Sequence, residues 1–167
     1  EAQKLGSPYD KNGDWARQGS LDAPLLNQLN AIPFYSLAGA KSLGRESLEQ
    51  FFIPRLEKAN LSPKDSLHTL VEHFAIQIAS VIRTYSTPLP PRILLTGGGA
   101  YNCYFVERLA HHLDQHWIQV EAGNALIEFK EALVFAFLGL LKLRGEVNTL
   151  ASVTGASQNS SGGTVYG

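Results

Sequence analysis

The chain has 167 residues, of which 44% are hydrophobic and 17% are charged, and its formal net charge is −1. This length fits one domain or one lobe of a larger enzyme, and the balanced charge argues against a nucleic-acid or membrane-surface partner, since both usually need a basic face. The single cysteine, Cys103, excludes an internal disulfide, so we expect a reducing compartment such as the cytoplasm.

The first residues, 1–5, are typical of the last turns of a helix, with Gly6 as its cap. So short a helix is not stable alone, and the sequence contains no methionine. We therefore expect the chain to be the carboxyl-terminal part of a longer protein. Residues 7–14 have turn composition, and they lack the glycine spacing and final glutamate of a calcium loop.

Apolar periodicity predicts three helices in the first half of the chain. Leucines on one face indicate a helix at 20–30, and a second helical region at 45–59 should be bent or broken near Pro54. Ser62 is a good cap for a third helix, which opens with a proline and should continue to about Tyr85.

The second half predicts a βαβ unit, with a strand around Ile93, a helix at 103–113 and a strand at 117–120. Residues 131–143 are apolar nearly all round, which predicts a helix packed against a sheet on one side and helices on the other. The Ser- and Gly-rich tail, 157–167, should be loosely held.

Three consecutive glycines, Gly97, Gly98 and Gly99, join the predicted strand to the predicted helix. Without Cβ atoms their backbone can approach a ligand closely, and the following helix offers free N–H groups, so a nucleotide is favoured over a merely tight turn. Neither a P-loop nor the G-x-G-x-x-G fingerprint is present. Asn102 has donors and an acceptor for a ribose or adenine edge, and it is equally suited to cap the helix.

Five stretches, together spanning nearly the whole chain and in the same order, resemble the anhydro-N-acetylmuramic acid kinase family of the actin-like sugar-kinase superfamily. They are Tyr9–Gly13, Lys41–Glu46, Thr96–Asn102, Lys130–Phe137 and Val153–Ala156. The resemblance implies an α/β fold: one lobe of an actin-like (ribonuclease H-like) sugar kinase, with a mixed sheet and packed helices. Residues 1–156 would form the carboxyl-terminal, nucleotide-side lobe, 157–167 a tail, and the amino-terminal lobe would be absent from this chain.

The resemblance further implies that ATP and Mg²⁺ bind between the lobes, the Mg²⁺ mostly held by the missing lobe. The substrate would be 1,6-anhydro-N-acetylmuramic acid, converted to N-acetylmuramic acid 6-phosphate in cell-wall recycling. The family's catalytic aspartate and phosphate loops lie upstream of the match, so no acid here is expected to be the general base. The alternatives are a kinase of the same superfamily with another substrate, or a non-catalytic lobe that binds nucleotide or a partner. The sequence also leaves a homodimer open.

For Glu131, the resemblance implies a position facing the substrate cleft, whereas the residues alone suggest only a favourable carboxylate in the first turn of the apolar helix. We interpret Lys41, Arg45 and Glu46 as ordinary surface charges rather than cleft or hinge residues. Tyr101 and Tyr104 are expected to be packed rather than stacked on a base.

No metal site is predicted. His112 and His116 are four apart on the predicted helix, but no third ligand has suitable spacing. Cys103 has no recognisable base partner, so thiol catalysis is excluded.

Overall fold

The computed structural model describes residues 1–85, 90–114 and 117–166. Helices dominate these residues, and two short strands lie in the second half. The α-helices are α1 (Asp14–Gln18), α2 (Ala23–Asn30), α3 (Arg45–Ser47), α4 (Ile53–Ala59), α5 (Pro63–Thr84), α6 (Cys103–His112), α7 (Asn124–Leu143) and α8 (Ala151–Thr154). A π-helical segment, Leu48–Phe52, joins α3 to α4, and 3₁₀ turns occupy Ala2–Leu5, Lys11–Gly13, Pro33–Ser36 and Gly98–Tyr101.

The two strands, β1 (Arg92–Leu94) and β2 (Ile118–Val120), are parallel, with Arg92 opposite Ile118. Because α6 connects them, the predicted βαβ unit is confirmed. The α/β class is therefore correct. The mixed sheet is not seen in the described ranges, which contain this parallel pair and one isolated antiparallel bridge between Thr149 and Ser160.

Helix α5 is the centre of the packed half, because α1, α2 and α6 all pack against it. Its amino terminus is capped as predicted, with the Ser62 hydroxyl accepting from the Asp65 N–H, and the helix ends at Thr84. Buried apolar residues form three clusters around it. Their members are Leu25, Leu29, Ile32 and Phe52, then Ala75, Ala79, Leu109 and Leu113, then Ala16, Val71 and Tyr104.

Two local predictions from the sequence hold. Gly6 ends the first turn with φ 83°, a conformation that favours glycine. The helical region 45–59 is irregular next to Pro54, where the π-helical segment lies. A proline cannot donate an N–H and its ring crowds the carbonyl four residues earlier, so a wider turn relieves the conflict.

Helix α7 departs from the predictions. It begins at Asn124, so Glu131 lies in the middle of the helix and the first-turn dipole explanation for its carboxylate is wrong. The expected packing on both sides is also not seen, because no residue of α7 is buried. The helix is long and apolar, yet no helix in the described residues meets the length and hydropathy needed to cross a membrane.

The tail makes hydrogen bonds to the segment that follows α7. Ser160 exchanges backbone hydrogen bonds with Thr149, and the Asn148 side chain bonds the backbone N–H and C=O of Gly162. Hydrogen bonds thus connect residues 160–162 to the segment after α7, while the side chains of residues 157–166 are exposed.

Candidate functional site

A cleft of about 650 Å³ opens between the turn after Ser7 and the glycine turn after β1. Segments far apart in sequence form its two walls. The lining residues are Tyr9, Asp10, Lys11, Asn12, Gly98, Gly99, Tyr101 and Asn102. The structure thus brings together two of the stretches on which the family resemblance rests, Tyr9–Gly13 and Thr96–Asn102.

The backbone conformation requires glycine at Gly97 but not at Gly98 or Gly99. Gly97 has φ 76°, which a residue with a side chain rarely adopts, so the turn itself requires it. Gly98 and Gly99 do not have positive φ, and a Cβ built on either would meet no atom within 4 Å. The tight-turn explanation therefore accounts for Gly97 only. Glycine at the other two positions leaves the cleft wall open to a closely approaching ligand.

Asn102 caps α6: its side-chain oxygen accepts a 2.9 Å hydrogen bond from the Phe105 N–H. Its amide nitrogen has no partner in the described part of the chain, and the residue lines the cleft. Capping and ligand contact are thus compatible at this position, because they use different atoms of one side chain.

Gly13 is the point at which the 9–12 segment packs against the start of α6. It is buried, has φ 75°, and a Cβ there would lie 2.4 Å from the Asn102 side-chain oxygen and 2.6 Å from Tyr104 Cβ. Only a residue without a side chain allows the 9–12 segment to pack this closely on the start of α6.

The Asp10 carboxylate has a structural role at the start of α1. Its two carboxylate oxygens accept from the N–H groups of Trp15 and Ala16, each at 2.9 Å, which satisfies the open end of α1. No group of three or more His, Cys, Asp or Glu side chains suited to a metal ion occurs among the described residues. The described residues therefore provide no metal site built from protein side chains alone, and the exposed Lys11 supplies a positive charge at the cleft.

Tyr101 is not packed as predicted: it is 44% exposed and lines the cleft. Its hydroxyl donates to Glu128 on α7 at 3.4 Å, and desolvation together with the Glu128 charge raises the pKa of Tyr101. Tyr104, by contrast, is buried as expected, with 6% exposure. Glu131 is exposed one helical turn after Glu128 and is not among the described residues that line the cleft.

The remaining candidates have structural roles. Lys41 Nζ lies 3.2 Å from each of the Phe34, Tyr35 and Leu37 carbonyl oxygens, so it holds a turn and is more than a surface charge. Arg45 forms an exposed ion pair with Glu49.

His112 contacts the buried Glu72 carboxylate at 2.6 Å, and His116 lies outside the described residues. Cys103 is exposed, and its thiol faces the Tyr101 carbonyl at 3.8 Å.

The sequence reasoning missed Lys11, Tyr101 and Glu128 as cleft or cleft-linked residues. The family-like stretch Tyr9–Gly13 was the signal available for Lys11. Glu128 had no such signal, because its link to Tyr101 spans 27 residues of sequence.

A glycine turn at the carboxyl end of a parallel strand, followed by the helix of a βαβ unit, defines an α/β domain with its cleft where such domains commonly bind ligands. Comparison with known families makes this specific. The family model described as anhydro-N-acetylmuramic acid kinase matches residues 2–167. The chain belongs to the anhydro-N-acetylmuramic acid kinase family.

Curated relatives agree with the family match. The chain is 36% identical over 164 residues to an anhydro-N-acetylmuramic acid kinase of Pasteurella multocida, covering 96% of this chain and 44% of the relative. It is 35% identical over 161 residues to one of Sulfurovum sp., covering 95% and 43%. A third, from Aliivibrio fischeri, is 32% identical over 163 residues, covering 96% and 44%. The chain thus spans less than half the length of these relatives.

Proposed function

We propose that this chain is the nucleotide-side, carboxyl-terminal lobe of an ATP-dependent sugar kinase with an actin-like fold, acting in the cytoplasm. The whole protein would phosphorylate 1,6-anhydro-N-acetylmuramic acid with ATP while water opens the anhydro ring. The products would be N-acetylmuramic acid 6-phosphate and ADP. Family membership supports this reaction. In this proposal the cleft of this chain binds the nucleotide, and the site of bond breaking lies outside it.

The observation that carries the nucleotide assignment is the open cleft wall at Gly98 and Gly99. Both positions tolerate a Cβ as far as this fold is concerned, and both line the cleft, so a ligand can lie directly against their backbone. The Asn102 amide nitrogen, for which the described residues provide no partner, would bond the nucleoside, and Lys11 would meet its phosphates. No carboxylate here is assigned to Mg²⁺, since each oxygen of Asp10 already accepts a hydrogen bond from a backbone N–H of α1.

Glu131 is proposed as a substrate-cleft residue of the complete protein. Its position mid-helix removes the dipole explanation, and its exposure leaves the carboxylate available. The neighbouring Glu128, one turn earlier on α7, is already tied to the glycine turn through Tyr101. Residue 131 therefore lies close in sequence to a point where α7 meets the cleft.

The nucleotide assignment is tested by Gly98→Val in the two-lobed protein, with Gly123→Val as the matched control. A Cβ meets no atom within 4 Å at either glycine and neither has positive φ, but only Gly98 lines the cleft. We expect Gly98→Val to weaken ATP affinity at least tenfold, about 1.4 kcal/mol, because its branched side chain occupies the ligand's place. Gly123→Val should bind ATP normally.

Calorimetric titration measures both affinities, and thermal unfolding confirms that both variants fold. Unchanged ATP affinity in folded Gly98→Val protein would remove the nucleotide from this cleft.

A further inference from the structure

Glu72 is a buried carboxylate of α5 that contacts two side chains of α6. It is 7% exposed, and it accepts hydrogen bonds from Arg108 Nε at 2.7 Å and from Arg108 Nη2 at 3.1 Å. His112 Nε2 lies 2.6 Å from the carboxylate oxygen that Nη2 also reaches. Arg108 and His112 are four residues apart, so they lie on one face of α6. We call these three residues the α6 clamp.

The clamp is the most directional contact described between the two helices. Ala75, Ala79 and Leu109 form an apolar part of the interface, and such contact holds helices together without fixing their rotation. Tyr104 adds one contact of 3.2 Å between its hydroxyl and His68. A guanidinium that donates two bonds to one carboxylate has a planar preferred geometry. The clamp therefore restricts the rotation of α6 about its axis.

The rotation of α6 matters because the amino end of this helix forms part of the nucleotide cleft. Asn102 lines the cleft, and its side chain moves with the helix because its oxygen accepts a 2.9 Å hydrogen bond from the Phe105 N–H. At a side-chain radius of about 5 Å, a rotation of about 20° would move the Asn102 amide by about 1.7 Å. A binding group has to be held within about 0.5 Å of its productive position.

We propose that Glu72 is a positioning residue for nucleotide binding: it fixes the rotation of α6 and thereby keeps the Asn102 amide directed into the cleft. Glu72 is not among the described residues that line the cleft, so it acts through Arg108 and α6 rather than by touching the ligand. The inference rests on the proposed nucleotide function of the cleft. It does not depend on which sugar the protein phosphorylates.

A positioning role and a purely structural role of Glu72 predict different results. If the clamp only stabilises the fold, Glu72→Gln lowers the melting temperature, and the folded variant binds ATP as the wild type does. If the clamp positions Asn102, the folded variant binds ATP more weakly. Saturating ATP then restores kcat, because the bond-breaking groups lie outside this cleft in the proposed function.

The test is ATP titration and steady-state kinetics of the full-length protein that carries Glu72→Gln. We expect Kd and KM for ATP to rise about tenfold, with kcat within about twofold of the wild-type value. Thr69→Val is the matched control. Thr69 is also buried on α5, but its hydroxyl accepts from the Asp22 N–H, next to α2, instead of bonding α6. Thr69→Val should lower the melting temperature and leave ATP affinity unchanged.

A double-mutant cycle with Asn102→Ser tests the route of the effect. Serine keeps a helix cap but lacks the amide nitrogen. If Glu72 acts through Asn102, Glu72→Gln should weaken ATP binding by less than about twofold once Asn102→Ser is present. Losses that multiply in the double variant would overturn the proposal.

Arg108→Lys keeps the inference testable if Glu72→Gln does not fold. Lysine retains the positive charge but cannot donate in the two-pronged geometry, so we expect ATP affinity to fall about threefold or more. Unchanged ATP affinity in the folded clamp variants, together with a loss in Gly98→Val, would overturn this inference alone. Unchanged affinity in Gly98→Val as well would remove the nucleotide from the cleft and overturn both.

Discussion

Helices α5 and α7 have nearly the same length, 22 and 20 residues, but they have opposite surroundings. Helix α5 buries seven residues, among them Glu72 and His73, while α7 buries none. The more apolar helix is thus the more exposed one. Burial in this chain depends on which helices have partners among the described residues, and apolar content alone does not reveal it.

Thr69, Glu72 and His73, which are buried polar residues of α5, bond groups from other segments of the chain. Glu72 accepts two hydrogen bonds from Arg108, at 2.7 and 3.1 Å, and contacts His112 at 2.6 Å. Burial acts to raise the pKa of Glu72, but the bonds from Arg108 and His112 outweigh it and lower that pKa. Such pairing fixes α5 against α6 in a way that the non-directional apolar surface of α7 does not.

The comparison is tested most strongly by truncating one leucine in each region of the 167-residue chain. Leu29 is fully buried, so Leu29→Ala should lower the free energy of unfolding by about 2–5 kcal/mol through lost burial and a cavity. Leu133 is 62% exposed, so Leu133→Ala should change it by less than about 0.5 kcal/mol. Urea unfolding measures both. Equal costs would mean that α7 has cover within this chain.

The next largest effect is a dependence of the unfolding free energy on pH, which we attribute to His73 in α5. Burial lowers the pKa of His73 from 6.5 to about 4, and its ring bonds Asn30 and Tyr35 as a neutral imidazole. Between these pH values His73 is therefore protonated in the unfolded chain and neutral in the folded chain. Stability should rise from pH 4 to pH 6.5, by about 3 kcal/mol at about 1.4 kcal/mol per pKa unit.

His73→Gln removes this titration, and its unfolding free energy should be flatter over the same window. Urea unfolding at several pH values compares the two proteins. A wild-type slope that persists in His73→Gln would assign the pH dependence to another group, such as Glu72.

The smallest expected stability change concerns α7, at Glu131. In the two-lobed protein Glu131→Gln should lower kcat/KM about a hundredfold, or about 2.7 kcal/mol, if the carboxylate faces the substrate. Because Glu131 is exposed in mid-helix, stability should stay within about 0.5 kcal/mol. Steady-state kinetics and thermal unfolding separate the two effects. Wild-type kinetics with reduced stability would show that the residue is structural.

The features that could be predicted from the sequence are those fixed by neighbouring residues. The Ser62 cap, the Gly6 turn, the strand before the glycines and the capping role of Asn102 all depend on contacts within a few residues. The family resemblance likewise depends on short stretches and their order. The sequence therefore identified the βαβ unit, the glycine turn and the family.

The tertiary structure decided what lies next to the glycine turn and which helix is covered. The 9–12 segment reaches Asn102 across about 90 residues because buried Gly13 permits contact, and Glu128 meets Tyr101 from another helix. Periodicity correctly indicated that α7 is apolar, but it carries no information on what packs against it. Local backbone and capping preferences act within a few residues, so local structure could be predicted from the sequence. Burial depends on which distant segments meet, so the surroundings of α7 could not.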